Sequence, residues 1–390
     1  MGFDVLNTEA NKDKIAVVVV GYNRLKSITR LLNSLIAADY CGLNVPLIIS
    51  IDCSGDEELY KYVNDFKWVH GQKYVNIQKE RLGLLKHIYQ CGDLSKYFKA
   101  IILLEDDLVV SPVFYSYALQ TVNYYKNDSS IAEISLYKNE TNGYVGLPFV
   151  NEQNGYDVFL MQDVSTWGEC WTPEMWESFV EWRDCHTEED VLNIDMTDII
   201  KNWTRAWSKY FNAYVVASHK YVLYPNIAVT TNFSDAGEHG GDNNSLVQVN
   251  LQQKDFQYRF APSDKLVKYD IYFNNESLYE WLGFSVEDVC LDLYNFHPNT
   301  YKKSRYILST RKLGYKIVKT YALHMRPWEL NVKHNISGTG ITLYDTTVKA
   351  RVGGEEVNEE VIPYYLQGMN MRLIAKHVLK KISKKIFKWI

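Results

Sequence analysis

Hydrophobic residues first gather in an unbroken run, Ile15–Gly21 (IAVVVVG). It is too short for a helix, rich in β-branched side chains and does not alternate, as expected of a strand covered on both faces of a parallel sheet. Over residues 25–38 the apolar positions Leu25, Ile28, Leu31, Leu32, Leu35 and Ile36 recur at helical spacing, and VPLIISID then makes a second buried strand ending at Asp52. The alternation continues with a helical pattern at 57–66, a short strand at 74–77, a helix around 83–90 and a strand at 100–104. Such an order predicts an α/β fold: an open, Rossmann-like, mostly parallel sheet with helices on both faces.

The last of these strands, AIILL, runs straight into Glu105, Asp106 and Asp107, after which Ser111-Pro112 opens an aromatic-rich helix through Tyr125. In open α/β sheets ligands bind at the carboxyl ends of the strands. Three adjacent acids there repel one another unless a cation or hydrogen-bond donors compensate, and a divalent metal is the economical compensation. The triplet alone leaves a second reading open, in which Glu105 or Asp106 caps the next helix and the rest is solvated.

Composition narrows the classes further. The chain has 390 residues, 46% hydrophobic and 23% charged, enough for one large catalytic domain with additions and unlike a mini-domain, a collagenous chain or a disordered one. Its 30 Tyr and 10 Trp suit sites that stack on sugar rings and bases. A net charge of −5 argues against a uniformly basic, nucleic-acid-binding surface. That charge is uneven, because residues 371–390 hold six Lys and one Arg with no acid. The six cysteines are scattered without a CxxC pair and read as reduced thiols. The opening MGFDVLN lacks an apolar leader, and no run of about 18 apolar residues occurs, so a cytoplasmic location is expected.

Read in order, VVVVGYNR, IISIDCSG, LLKHIYQC, ILLEDDLVVSP, GECWTPEMW and AVTTNFSDAGEHGG resemble the successive motifs of a GT-A glycosyltransferase family. It is the family of the Golgi N-acetylglucosaminyltransferase that initiates hybrid and complex N-glycans, with its bacterial surface-polysaccharide relatives. The resemblance spans residues 14–242. It implies a metal-dependent, inverting glycosyltransferase, hexosyl- or N-acetylhexosaminyl-transferring, that uses a UDP-sugar donor and Mn²⁺ or Mg²⁺ in polysaccharide synthesis. By the same resemblance Asp107 is the direct metal ligand, Asp106 acts through metal-bound water or the ribose, and Glu105 orients the pair. Asp52 is implied to accept the uracil imino proton, Arg24 to reach the base or diphosphate, and His87 to touch uridine or phosphate. Gly168 and Trp171 are implied to floor the donor sugar, and His239 to meet the diphosphate or metal from a glycine-rich loop. The residues themselves leave plainer roles open: Arg24 at a strand end, Asp52 as a helix cap, His87 as a core histidine, Trp167, Trp171 and Trp176 as core packing, and the loop of His239 as a surface turn.

An inverting transferase needs a carboxylate to take the proton of the attacking hydroxyl. The family's base segment does not align here. Asp198, in NIDMTDIIKNW, is the first choice, Asp195 the second, with Asp163 and Glu169 behind them.

The expected organisation is a tail at 1–13, the GT-A catalytic domain at 14–250, a mixed or helical C-terminal region at 251–345, and a linker with a basic helix at 346–390. In that region Lys302, Lys303, Arg305, Arg311, Lys312, Lys316 and Lys319 form a basic cluster expected on solvated helix faces, with a phosphate-facing surface as the alternative. At the end, Met371, Ile374, Ala375, Val378, Leu379, Ile382 and Ile386 share one helical face and Lys376, Lys380, Lys381, Lys384 and Lys388 the other. This basic amphipathic pattern predicts peripheral attachment to an anionic membrane, with Phe387 and Trp389 as anchors, and hence a lipid-linked glycan acceptor. Docking on the body is the alternative. Two other functions compete: a nucleotidyltransferase acting on a sugar phosphate, disfavoured because VVVVGYNRLKS lacks a glycine-rich phosphate loop, and a non-catalytic carbohydrate-binding protein.

Overall fold

Ile15–Gly21 forms β1, with every residue buried, and β-branched side chains on both faces hold it at the centre of a sheet. The computed structural model describes residues 6, 8–236, 245–298, 303–350, 356–357, 360–366 and 368–386. After β1 come α1 (Leu25–Ile36), β2 (Leu47–Ile51), α2 (Glu57–Asp65), β3 (Lys73–Ile77), α3 (Leu84–Gly92) and β4 (Ala100–Glu105). Helix α1 buries Ile28, Leu31, Leu32 and Leu35 against the sheet, each such side chain contributing about 1.5–3 kcal/mol of transfer free energy. Asp56 caps α2, its side chain accepting from the Leu59 N–H.

The remaining elements that frame the site are β5 (Leu108–Val110), α4 (Phe114–Tyr125), β6 (Ile131–Ser135), β7 (Val158–Met161), β8 (Glu169–Trp171), α5 (Pro173–Asp184), α6 (Asp198–Lys201), α7 (Trp207–Ala217), β9 (Tyr221–Pro225), β10 (Thr230–Asn232) and β11 (Lys268–Tyr269). Nine strands make one sheet in the order β11-β7-β9-β6-β8-β4-β1-β2-β3. It is mostly parallel, with β8 antiparallel to both neighbours and β9 antiparallel to β7. The open, mostly parallel α/β sheet expected from the sequence is therefore the one observed.

Topology decides where a site can form. Strand β1 pairs with β2 on one side and β4 on the other, both parallel. The chain thus reverses its direction of travel across the sheet at β1, and the crevice at the carboxyl ends of β1 and β4 is a topological switch point. In register Val20 faces Glu105, so the loop 21–24 and the acidic triplet leave the sheet side by side. Just beyond, β5 pairs antiparallel with β10, a small ladder that the sequence reading passed over because each strand has only three residues.

The expected boundaries at 250 and 345 do not fall between structural units. Strand β11 extends the large sheet beyond residue 250, and Tyr125 of α4 donates to the Ala261 carbonyl at 2.7 Å. After it come β12 (Val289–Asp292), β13 (Tyr306–Ser309), β14 (Tyr315–Tyr321) and β15 (Ile341–Lys349), a four-stranded sheet in the order β12-β13-β15-β14. Strand β15 runs through the expected second boundary. The basic cluster expected on helix faces lies mainly on and between these strands: Arg305 precedes β13, and Lys316 is in β14. Lys302 lies outside the described residues. One hydrophobic core reaches from Leu6 to Tyr364, and Tyr269 ties the large sheet to the segment between β14 and β15 by donating to Glu329 at 2.8 Å.

The final helix, α8 (Met371–Ile386), does not bury its apolar stripe on the body. Met371 is 56% exposed, Leu379 66% and Ile382 49%. Phe387, Lys388 and Trp389 lie outside the described residues, and no described helix is long and apolar enough to cross a membrane.

Candidate active site

A cavity of about 1440 Å³ opens at the switch point. One wall comes from the β1-β2-β4 side of the sheet and presents Arg24, Asp52, His87, Glu105, Asp106 and Asp107. These six residues, scattered over 84 positions of sequence, were each singled out from the sequence. Parallel strands ending at the same edge bring them together.

Arg24 stands at the N-cap of α1 and reaches across the crevice. Its Nη1 donates to Asp107 Oδ2 at 3.0 Å, and its Nη2 pairs with Asp106 Oδ1. Burial works against the guanidinium charge, but Asp106 and Asp107 outweigh it and hold its pKa above the ordinary arginine value. Burial pushes Asp106 up to about 6 despite the Arg24 pair. Glu105 is raised by burial first and then by its two acidic neighbours.

Asp52 is 4% exposed. Its Oδ1 accepts from the Cys53 and Leu82 N–H groups, both at 2.8 Å, and its Oδ2 from the Gly83 N–H at 2.9 Å. It therefore closes the loop that leads into α3, and Oδ2 keeps a lone pair for one further donor. His87, on α3, is 2% exposed with Ser50 Oγ at 2.7 Å from Nε2. Burial lowers its pKa to about 4, only partly opposed by Asp52, so the imidazole is neutral at pH 7.

A hard divalent cation fits this donor set. Magnesium-class ions are held by one or two carboxylates and complete their shell with water and substrate phosphate oxygens. Asp106 and Asp107 offer those carboxylates, and a positive group, the Arg24 guanidinium, already sits between them. Among the described residues no set of three or more His, Cys, Asp or Glu forms an all-protein metal cage, so phosphate oxygens would have to complete the shell.

The opposite wall was less legible in the sequence. It presents Asn139, Tyr144, Asp163, Trp167, Trp203 and Arg205, of which only Asp163 and Trp167 had drawn attention. Asp163 follows β7 and is 5% exposed. The Tyr144 hydroxyl donates to its Oδ1, and Asn139 Nδ2 donates to Oδ2 at 3.2 Å. Burial pushes its pKa up to about 7, with those two donors opposing. No periodicity marks Asn139 or Tyr144, because both sit in the irregular chain after β6.

The preferred base candidates lie elsewhere. Asp198 is the first residue of the one-turn helix α6, exposed and outside the cavity lining. Asp195 is exposed and accepts from the Tyr272 hydroxyl at 2.9 Å, also outside the lining. Glu169 is fully buried within the sheet, its carboxyl oxygens unpaired, and burial together with Glu133 and Glu105 raises its pKa well above the usual range.

Trp171 is likewise fully buried. Its ring packs on Trp176, Trp207 and Phe211, and Nε1 donates to Glu133 at 3.1 Å. It is a core residue here, not part of the cavity lining. Gly168 has φ +112, and an added Cβ would meet Thr230 Oγ1 at 2.9 Å, so only glycine fits the turn. That turn leaves the ring of Trp167, one residue earlier, on the cavity wall. His239 lies outside the described residues. The segment leading toward it is anchored on α1, where Ser27 Oγ donates to Asp235 at 2.7 Å and Arg30 pairs with the same carboxylate.

No curated protein matches the sequence significantly. Among solved structures, S. aureus TarS 1-349 in complex with UDP-GlcNAc is 16% identical, covering 58% of this chain and 60% of that one, with a TM-score of 0.38. GalNAc-T7 with UDP, GalNAc and Mn²⁺ is 12% identical, covering 55% and 42%, with a TM-score of 0.37. The mannosyltransferase PcManGT from Pyrobaculum calidifontis in complex with GDP-Man and Mn²⁺ is 13% identical, covering 44% and 46%, with a TM-score of 0.32. The chain spans 60% of the length of the TarS 1-349 chain that it matches. Over residues 3–145, the half of the sheet that carries Arg24, Asp52, His87 and the acidic triplet, this chain matches the GNT-I family.

Proposed function

We propose that the protein is a metal-dependent glycosyltransferase that moves a sugar from a UDP-sugar to a hydroxyl of a glycan, with inversion at the anomeric carbon. The observation that carries this reading is the convergence of Arg24, Asp52, His87, Asp106 and Asp107 on one wall of the cavity, within the segment that matches the GNT-I family. Asp52 takes the uracil imino proton on its remaining Oδ2 lone pair, and neutral His87 offers a ring nitrogen to the nucleotide. Asp107, with Asp106, would hold Mn²⁺ or Mg²⁺, which when bound would offset the charge of the departing diphosphate. Arg24, which bridges those two carboxylates, would supply a second positive group to the same diphosphate.

Asp163 is the base in this reading, in place of Asp198 or Asp195. Tyr144 and Asn139 fix its orientation, and a pKa near 7 poises it to accept a proton at neutral pH. As the acceptor oxygen attacks the anomeric carbon, its proton passes to Asp163. The bond from that carbon to the diphosphate breaks, and its electron pair leaves on the diphosphate. Trp167 and Trp203 offer ring faces on the acceptor side. The exposed apolar and basic side chains of α8 support a place for the enzyme on an anionic membrane surface, where the acceptor is a lipid-linked glycan of a bacterial surface polysaccharide.

The test is a panel of UDP-sugars with Mn²⁺, read by thermal stabilisation and then by sugar transfer. A true donor at 100 times its Kd adds about 2.7 kcal/mol to the folded state. Asp107→Asn is expected to lose both the Mn²⁺-dependent stabilisation and transfer. Unchanged Mn²⁺-dependent turnover in that variant, or no stabilisation by any UDP-sugar, overturns the proposal.

A further inference from the structure

The cavity reaches the start of α7, and Ala206, Trp207 and Ser208 all line it. Ala206 occupies the N-cap and supplies no side-chain acceptor, and no acid stands in the first turn. The leading N–H groups of this 11-residue helix therefore have no partner within it and form its positive end. A second observation points to a ligand. Ser208 is 6% exposed and lines the cavity, and its hydroxyl has no hydrogen-bond partner among the described residues. Arg205, three residues earlier, also lines the cavity, is exposed and has no ion pair among the described residues. The next cation along, Lys209, is not available, because it is buried in a pair with Glu188.

From this arrangement we propose that the start of α7 binds an oxyanion carried by the acceptor, a phosphate or a carboxylate group. The Trp207 and Ser208 N–H groups and the Ser208 hydroxyl donate to its oxygens, and Arg205 supplies the counter-charge. The inference rests on the transferase reading for its assignment to the acceptor. Two features favour the acceptor over the donor's diphosphate. The diphosphate already has Arg24 and the Asp106–Asp107 cation site on the opposite wall. The cavity, at about 1440 Å³, also exceeds the roughly 300–1,000 Å³ that holds one small ligand. With the rings of Trp203 and Trp167 on the same wall, the acceptor class is an anionic glycan, not a neutral one.

The experiment titrates the full chain with N-acetylglucosamine 6-phosphate, glucuronic acid and neutral N-acetylglucosamine, each with and without saturating UDP and Mn²⁺, by calorimetry. At least one charged probe is expected to bind alongside UDP, and the neutral sugar to bind at least several-fold more weakly. Which charged probe prevails separates a phosphate-bearing acceptor from a uronic-acid one. Arg205→Ala and Ser208→Ala are each expected to weaken the charged probe about tenfold, the effect of losing one charge-assisted hydrogen bond, while UDP affinity stays within about twofold of wild type. Arg205→Ala changes an exposed side chain, so folding is not at issue. Equal binding of charged and neutral probes overturns the proposal, as does a fall in UDP affinity in Arg205→Ala, which would hand the site to the donor. Failure of the wild type to bind UDP would instead sink the transferase reading, because the probes without UDP still report the anion site.

Discussion

Asp163→Asn separates the catalytic from the structural consequences of one carboxyl. Asp163 is 5% exposed, with a pKa of about 7 against an ordinary 3.8. A carboxyl whose pKa is raised by folding stabilises the native state fully below the unfolded value, and the contribution is lost as pH rises through the folded value. Its full span corresponds to roughly 4 kcal/mol, of which about 2.7 kcal/mol disappears between pH 5 and pH 8. Asparagine keeps the shape and does not titrate. The stability of Asp163→Asn relative to wild type should therefore rise by about 2.7 kcal/mol from pH 5 to pH 8, as measured by urea unfolding at both pH values. Taking the difference removes groups that titrate in both proteins. In the same variant UDP and Mn²⁺ binding should persist while kcat falls by about 10²–10⁴, the range for loss of a general base. Wild-type kcat/KM should climb with pH and level off above about 7, since the base must be unprotonated. A stability difference that does not change with pH would refute the burial argument, and turnover above a tenth of wild type would refute Asp163 as the base.

Two further outcomes are expected. Gly92→Ala puts a Cβ 2.1 Å from Cζ2 of the buried Trp176, and such overpacking costs about 1–3 kcal/mol or more; an unchanged urea midpoint would contradict that contact. Truncation after Asn370 should leave transfer to a short soluble acceptor nearly unchanged but release the protein from anionic vesicles, with each lost surface cation worth about 1 kcal/mol of attraction. Equal sedimentation of intact and truncated protein with such vesicles would show that α8 is not the attachment.

Much of the cavity wall that carries Arg24, Asp52 and Asp106 was legible in the chain because its physics is local. A seven-residue run with five β-branched residues can be little other than a covered strand, and Leu25, Ile28, Leu31 and Leu32 can share a face only in a helix. Once β1, β2 and β4 are parallel neighbours, Arg24, Asp52 and Asp106 must emerge at one edge. The basic, acid-free end of the chain was equally plain, since charge and periodicity are properties of sequence. Tertiary structure alone decided the opposite wall. Asp163, Asn139 and Tyr144 meet through irregular chain between β6 and β8, where no period constrains a side chain's direction. The same holds for the aromatic rings: Trp167 and Trp171 are four residues apart with similar neighbours, yet the left-handed turn at Gly168 leaves one on the cavity wall and the other in the core. Asp198 and Asp195 are as acidic in sequence as Asp163, but only Asp163 lies where burial raises its pKa and the cavity exposes it to a substrate. Residue type and spacing determined which side chains were available for chemistry, whereas burial and direction depend on contacts between distant segments, which only the folded chain brings together.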